Sequence, residues 1–203
     1  MDFKKGWNKF LDIVWRDDSF KGWLISIIFI FLVIKFLFFP FLSLVTGTQL
    51  PLAIVESCSM HHDGNLFSDY DDWWKNQESK YSNFNLNKDD FEDFRFKKGF
   101  TKGDILFIVG ANTDKLELGD IVIFDTGHGT PVIHRIVNIY EKNGEKFFST
   151  MGDNNNGQLS FEKEISEDKI IGKAGLRIFP YLGWIKLIFY ENSRSSSERG
   201  FCD

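Results

Sequence analysis

The hydrophobic pattern changes character once along the chain. From Trp23 to Val45 it reads WLISIIFIFLVIKFLFFPFLSLV, an apolar run interrupted by one charge, Lys35, and one proline, Pro40. At a rise of about 1.5 Å per residue, roughly 20 apolar residues cross the hydrocarbon core of a bilayer. A buried core helix normally keeps a polar face, and this run keeps none. It predicts a membrane span. A lysine at mid-bilayer costs about 2.5–3.5 kcal/mol on insertion scales, and its stem relieves this by snorkelling toward headgroups. The expected helix therefore crosses from Gly22 to Phe39 and stops near Pro40, with Phe41, Leu42, Leu44 and Val45 at the outer interface. A cleavable leader would need a shorter apolar stretch and small residues at an A-x-A-like site. The following TGTQLPLAIVE offers none, so the anchor is expected to stay.

Beyond the anchor the pattern turns to short β-type runs rich in branched and aromatic residues. These are LAIVE (52–56), DILFIVG (104–110), DIVIFD (120–125), PVIHRIVNIY (131–140) and KFFSTM (146–151). Gly, Asn and Asp separate them, with a hairpin signal in KNGEK at 142–146. A mainly β body is predicted. Residues 61–99 interrupt it with acidic side chains among Tyr70, Trp73, Trp74, Phe84, Phe91, Phe94 and Phe96. SDYDDWWKNQESKY, with Ser68 as a candidate cap, reads as a short helix. The segment is either a lid, a membrane-resting flap or a partner surface, or a decorated loop packed on the β body by its aromatics. RIFPYLGWIKLIFY (177–190) is too short to span comfortably and reads as a strand followed by an interfacial stretch. The last residues, ENSRSSSERGFCD, are expected to fray. The expected organisation is thus a cytoplasmic segment (1–21), an anchor with its outer interface (22–46), an extracytoplasmic β domain (47–190) carrying the 61–99 insertion, and a polar tail (191–203).

Charge sets the orientation. Lys4, Lys5, Lys9, Arg16 and Lys21 precede the span, whereas neither Lys nor Arg occurs between Phe36 and Trp74. The positive-inside rule places the N-terminus in the cytoplasm and everything after Thr46 outside, with membrane lipids as partners of the span between them. A net charge of −5 argues against nucleic acid as a partner. Two cysteines, Cys58 and Cys202, are too few for a disulfide framework or a cysteine-based zinc site.

Three segments carry candidate chemistry. Glu56-Ser57-Cys58-Ser59-Met60 follows a strand and supplies two hydroxyls, one to attack and one to donate. Serines in turns are ordinarily capping groups, so this alone says little. Of His61, His62, His128 and His134, only His134 lies inside an apolar alternating run. Gly152-Asp153-Asn154-Asn155 forms a turn after KFFSTM, where Asp153 could orient an imidazole or simply shape an Asx turn.

In their order, S-x-S-M just outside a single membrane helix, GDIVIF, HRIV, MGDNN, IIGKA and PYLGW resemble type I signal peptidase. The resemblance runs from the anchor to about Phe189, apart from residues 61–99. A histidine at position 134, where the bacterial form has lysine, is similar to the archaeal and endoplasmic-reticulum branch. The resemblance implies a signal-peptidase/LexA-like β catalytic domain, no metal and no cofactor. It implies a serine endopeptidase of the cell membrane, cleaving signal peptides from preproteins with small residues before the cut. It leaves open whether accessory subunits take part. Ser59 matches the nucleophile, His134 the general base, Ser57 an oxyanion donor, and Met60 a shaper of the substrate groove. Gly152 and Asp153 match the GDN motif. One departure stands out: the histidine branch has a second aspartate six residues on, and here that position is Leu159. Asp153 is the expected replacement, the alternatives being the Gln158 amide oxygen or an incomplete triad. The competing readings are a non-catalytic subunit of the same fold and a related peptidase with one specialised substrate.

Overall fold

The computed structural model describes residues 3–62, 70–127 and 129–202, with the chain dividing into two units, Met1–Val45 and Thr46–Asp203. Ser68 and His128 lie outside the described residues.

In the first unit an amphipathic helix α1 (Phe3–Arg16) folds back on α2 (Phe20–Val33). Ser19 caps α2 by accepting from the Gly22 N–H at 3.1 Å. Gly22 lets the turn close, since a Cβ there would meet the Asp17 carbonyl at 2.4 Å. The hairpin is fastened by the Ser26 hydroxyl, which lies 2.6 Å from the Val14 carbonyl, and by the edge contact of Phe10 with Phe29. After α2 the helix does not stop at Pro40 as expected. It widens into a π turn over Ile34–Phe38 and continues as α3 (Phe39–Thr46). Proline lacks an N–H and clashes with the carbonyl four residues back; a turn of π type, with Phe39 N–H bonded to Ile34 O, opens the backbone at that point. The continuous helix Phe20–Thr46 is long and apolar enough to cross a membrane, and none of its most apolar stretch is buried.

The second unit is built on a seven-stranded sheet in the order β1-β2-β7-β3-β4-β5-β6, every pair antiparallel. Its strands are β1 (Leu52–Ile54), β2 (Ile105–Val109), β3 (Ile121–Phe124), β4 (Val132–Lys142), β5 (Glu145–Met151), β6 (Ile165–Ser166) and β7 (Ile170–Phe179). The mainly β expectation holds. The 142–146 signal closes the β4–β5 hairpin, with Asn143 and Gly144 at φ 56° and 83°, as a tight hairpin turn of primed type requires. One core cluster gathers Val55, Met60, Phe100, Leu106, Ile108, Ile121, Ile123 and Ala174. The strand expected to open residues 177–190 is the end of β7, and a short helix α6 (Trp184–Leu187) follows it.

The described part of the acidic, aromatic insertion forms α4 (Tyr70–Ser82) and α5 (Lys88–Asp93). Trp73, Trp74, Tyr81, Leu86 and Phe91 pack with Val137 of β4 and Met151 of β5, so the aromatics fasten the insertion to the sheet. Asn87 caps α5 by accepting from Asp90 N–H, and the Asp90 carboxylate accepts from Asn87 N–H in return.

At the centre of this packing lies a fully buried ion pair. Arg135 spends all five N–H donors: Nε and Nη2 on the Asp153 carboxylate at 2.9 and 2.6 Å, Nη1 on the Arg95 and Gly119 carbonyls, and Nη2 also on the Phe96 carbonyl. The guanidinium also lies 4.6 Å from the Phe91 ring centre. Asp153 accepts two further bonds, from Tyr81 Oη at 2.9 Å and His62 Nε2 at 2.9 Å. The His62 ring is stacked on Trp73 at 3.6 Å. Burial raises the Asp153 pKa, but the Arg135 charge and the hydrogen bonds from His62 and Arg135 outweigh it and hold the carboxyl well below the ordinary range. For His62 burial dominates and pushes the imidazole down against the pull of Asp153. The ring is thus neutral and donates from Nε2.

The segment expected to fray is tied down. Cys202 forms a disulfide with Cys58, Glu191 accepts from the buried Lys102 Nζ at 3.0 Å, and Phe201 lies against Trp184 with ring centres 4.4 Å apart.

Two outcomes follow for stability. Arg135→Met leaves Asp153 buried without its counter-charge, and should cost about 3–5 kcal/mol in denaturant melts; a loss under about 1 kcal/mol would show that the pair is not holding the insertion on the sheet. The pH response has one sign. Asp153, depressed in the folded state, contributes stability present above the unfolded carboxyl pKa of about 3.9 and lost as pH falls. His62, also depressed, refuses a proton that the unfolded chain takes up near pH 6.5 (roughly), so its contribution is lost over the range below that. The denaturation midpoint should therefore drop on acidification from about pH 7.5 to about pH 4. A midpoint that stays flat or rises would contradict the assignment.

Candidate active site

Ser59 lies in the turn that leaves β1. The turn is fixed by backbone bonds at its flanks: Val55 N–H to Asp104 O at 2.9 Å, His61 N–H to Cys58 O at 3.0 Å and Phe100 N–H to Met60 O at 2.8 Å. His134 sits on β4, opposite Val122 of β3. The two side chains meet, with Ser59 Oγ 2.8 Å from His134 Nε2. Successive strand residues point to opposite faces, so His134 turns toward Ser59 while its neighbour Arg135 enters the buried ion pair.

The group behind the imidazole is Glu162. Its carboxylate is in short contact with His134 Nδ1 and is wholly buried. Glu162 ends a short 3-10 turn, Ser160–Glu162, and its second oxygen accepts from Leu159 N–H at 2.6 Å. The Thr150 hydroxyl donates to the first oxygen at 3.4 Å. The line Ser59–His134–Glu162 selects one arrangement of protons: Nδ1–H donates to the carboxylate, leaving Nε2 to accept from the serine hydroxyl. With that proton committed, the Ser57 hydroxyl is the donor in its 3.0 Å contact with Ser59 Oγ.

The sequence expectation for the orienting group is corrected here. Asp153 makes no bond to His134; both its oxygens are occupied by Arg135, His62 and Tyr81. Gln158 is turned elsewhere as well, its amide nitrogen donating to Ser149 Oγ at 2.5 Å and Thr150 O at 2.7 Å. Sequence reasoning missed Glu162 because it looked for a carboxylate at or before position 159. The available signal was an acidic residue three positions later, with one extra methylene of reach.

The Gly152–Asn155 turn touches the site through the backbone of Ser59. Asn154 N–H donates to Ser59 O at 2.8 Å, and Asn154 Nδ2 to Cys58 O at 3.2 Å. Gly152 permits this approach, because a Cβ would meet Ser59 O at 2.8 Å and the Asn155 amide at 2.7 Å. Lys80 Nζ, reaching from α4, donates to the carbonyls of Asp153 and Asn155 at 2.5 and 2.8 Å. Burial pushes this ammonium down to about 8 against the opposing pull of Asp153. Met60, expected to shape a groove, is fully buried in the core instead, because its side chain packs among Val55, Phe100 and Leu106. Among the described residues no cluster of His, Cys, Asp and Glu is arranged to hold a metal ion.

No family model matches the chain. It is similar to the signal peptidase complex catalytic subunit SEC11C of Homo sapiens, 34% identical over 100 residues that cover 44% of this chain and 50% of the relative. The protein of the same name from Canis lupus familiaris gives the same figures. The signal peptidase complex catalytic subunit SEC11 of Saccharomyces cerevisiae (strain YJM789) is 36% identical over 101 residues, covering 46% of this chain and 59% of the relative. The chain thus spans between half and three-fifths of the length of the curated relatives it matches. The curated homologues of this chain are catalytic subunits of signal peptidase.

Proposed function

We propose that this chain is a membrane-anchored serine endopeptidase that removes signal peptides from preproteins. The observation that carries the reading is the hydrogen-bonded line from Ser59 through His134 to Glu162. A serine hydroxyl is a weak nucleophile until a neutral base accepts its proton. Here Ser59 Oγ attacks the scissile carbonyl as His134 Nε2 takes the hydroxyl proton. Glu162 holds the tautomer and stabilises the imidazolium that forms. That imidazolium protonates the leaving amine, and the acyl-enzyme is hydrolysed by water deprotonated by the same nitrogen. The Ser57 hydroxyl, 3.0 Å from Ser59 Oγ, swings to donate to the developing oxyanion, together with the Ser59 N–H.

The single-pass anchor is Phe20–Thr46, with the basic residues before it in the cytoplasm and the β unit on the far side of the cell membrane. The Cys58–Cys202 bridge supports that side, since disulfides persist in oxidising compartments. Confinement of enzyme and substrate to one membrane raises their effective concentration. Accessory subunits are open to this chain as well, since the relatives' names place them in a signal peptidase complex. A non-catalytic subunit of the same fold is disfavoured by the assembled serine, histidine and carboxylate. A peptidase with one specialised substrate would use the same site.

Cleavage of a synthetic preprotein tests the roles. Ser59→Ala should abolish turnover, and Ser57→Ala should lower kcat by about 10–1000-fold; full activity in Ser59→Ala would end the serine-peptidase reading. For the orienting group, Glu162→Gln keeps the shape but removes the charge, and should lower kcat by about 10³–10⁴-fold. Gln158→Ala should retain most activity. If folded Glu162→Gln cleaves at near the wild-type rate, the carboxylate has no part in the reaction.

A further inference from the structure

The peptide that bears Ser59 is held by a segment far away in the sequence. Cys58, the residue immediately before Ser59, is bonded covalently to Cys202, 144 positions on. Two residues earlier, Glu56 is gripped from the same segment: Arg194 Nη1 donates to the Glu56 carbonyl at 2.9 Å and Nη2 to its carboxylate at 2.7 Å. Lys186 of α6 adds a third bond to Glu56, on the other carboxylate oxygen at 3.0 Å.

The segment that supplies these contacts is itself anchored. Lys102 Nζ, with its side chain fully buried, donates to Glu191 at 3.0 Å and to the Glu198 carbonyl at 2.7 Å. Gly200 N–H returns to Glu191 at 2.8 Å, and Arg199 closes the loop on itself through the Arg194 and Asn192 carbonyls. Phe201 packs on Trp184, whose indole N–H donates to the Lys102 carbonyl at 3.0 Å. A serine-rich, polar sequence that has too little apolar surface to pack by itself is thus ordered by a buried ammonium, an aromatic contact and a disulfide. Its contacts with the peptide that bears Ser59 fall on Glu56 and Cys58.

We propose that residues 191–202 form a strap that positions the nucleophile, so that turnover depends on the Cys58–Cys202 bond and on the Arg194–Glu56 contact, with both acting as positioning elements; this rests on Ser59 being the nucleophile. The Ser59 peptide otherwise takes its position from the Asn154 contacts and short backbone bonds. Cutting the strap leaves those in place but gives Cys58 and Glu56 freedom to move. Misplacement of a reacting atom by about 1 Å costs on the order of 10²-fold in rate. The strap therefore acts on kcat more than on KM. It also makes activity sensitive to reductants: a dithiol attacks one sulfur, the Cys58–Cys202 bond breaks, two electrons and two protons give two protein thiols, and the dithiol leaves as its own disulfide.

The test compares the full-length wild-type protein in detergent micelles, oxidised and after dithiothreitol, with a Cys58→Ser/Cys202→Ser variant and with Arg194→Ala. Preprotein cleavage and hydrogen exchange of a peptide covering residues 55–62 are both read. Reduction and the double variant should each lower kcat by about 10-fold or more, with KM changed less than about twofold. Exchange in the 55–62 peptide should quicken, reoxidation should restore wild-type turnover, and dithiothreitol should have no effect on the double variant. Arg194→Ala should show a smaller loss of the same kind. Unchanged kcat and unchanged exchange in the reduced protein would overturn the proposal. Global loss of the near-ultraviolet circular dichroism on reduction would also overturn it, because the bond would then be a staple for the whole unit. A wild-type protein that never cleaves, but whose 55–62 exchange quickens on reduction, would sink the peptidase reading and leave the strap standing.

Discussion

The buried pair of Arg135 and Asp153 is the constraint around which the β unit is organised. A carboxylate and a guanidinium removed from water each lose several kcal/mol of hydration, and their attraction repays this only when every remaining donor and acceptor is matched. Here that condition is met in full. The five guanidinium N–H groups find three backbone carbonyls and both carboxylate oxygens, and those oxygens take two further donors from Tyr81 and His62. The partners come from β4, the turn after β5, α4, the peptide after Ser59, the backbone at Arg95–Phe96 and Gly119 ahead of β3. Satisfying one ion pair therefore fixes six separate stretches of chain relative to each other.

This arrangement accounts for two carboxylates with divided duties. His134 and Arg135 are neighbours on β4, and strand geometry sends them to opposite sides. Each has its own acid: Glu162 behind the imidazole, Asp153 beside the guanidinium. Asp153 could not serve both, since its oxygens are saturated by the pair. Its influence on Ser59 is carried by the backbone, because the turn it anchors presents Asn154 N–H to the Ser59 carbonyl and Asn154 Nδ2 to that of Cys58.

What could be read in the sequence was what depends on local pattern. Apolar and β-branched runs located β1 to β5, Asn143-Gly144 marked the hairpin, and the ordered motifs that resemble type I signal peptidase singled out Ser59 and His134, the pair that the fold brings within 2.8 Å. What escaped depends on tertiary partners. Glu162 carries no local signature, since a glutamate in SFEKE looks like any surface acid until the 3-10 turn aims it inward. ENSRSSSERGFCD has the composition of a loose end, and its order comes from Lys102, Trp184 and Cys58, all remote in sequence. Pro40 was read as a stop by the local rule, and the π turn before it is the backbone's way around that rule. Met60, which the resemblance casts as a shaper of the substrate groove, has its side chain in the core among Val55, Phe100 and Leu106, partners remote or unmarked in the local pattern.

The contrast between the two histidines shows how environment divides their work. His62 is stacked on Trp73 and hydrogen-bonded to a carboxylate already neutralised by Arg135, so burial prevails and the ring stays neutral as a fixed donor. His134 faces Glu162, whose other contacts among the described residues are the Thr150 hydroxyl and the Leu159 N–H, neither of them a cation. A carboxylate without a competing cation directs its full charge at the imidazole, which is what the acyl transfer proposed above requires of an imidazolium. The same carboxylate paired with an arginine would have its field largely cancelled. Keeping Arg135 on the far side of β4 therefore gives the strand a rigid scaffold without quenching the charge that the histidine needs.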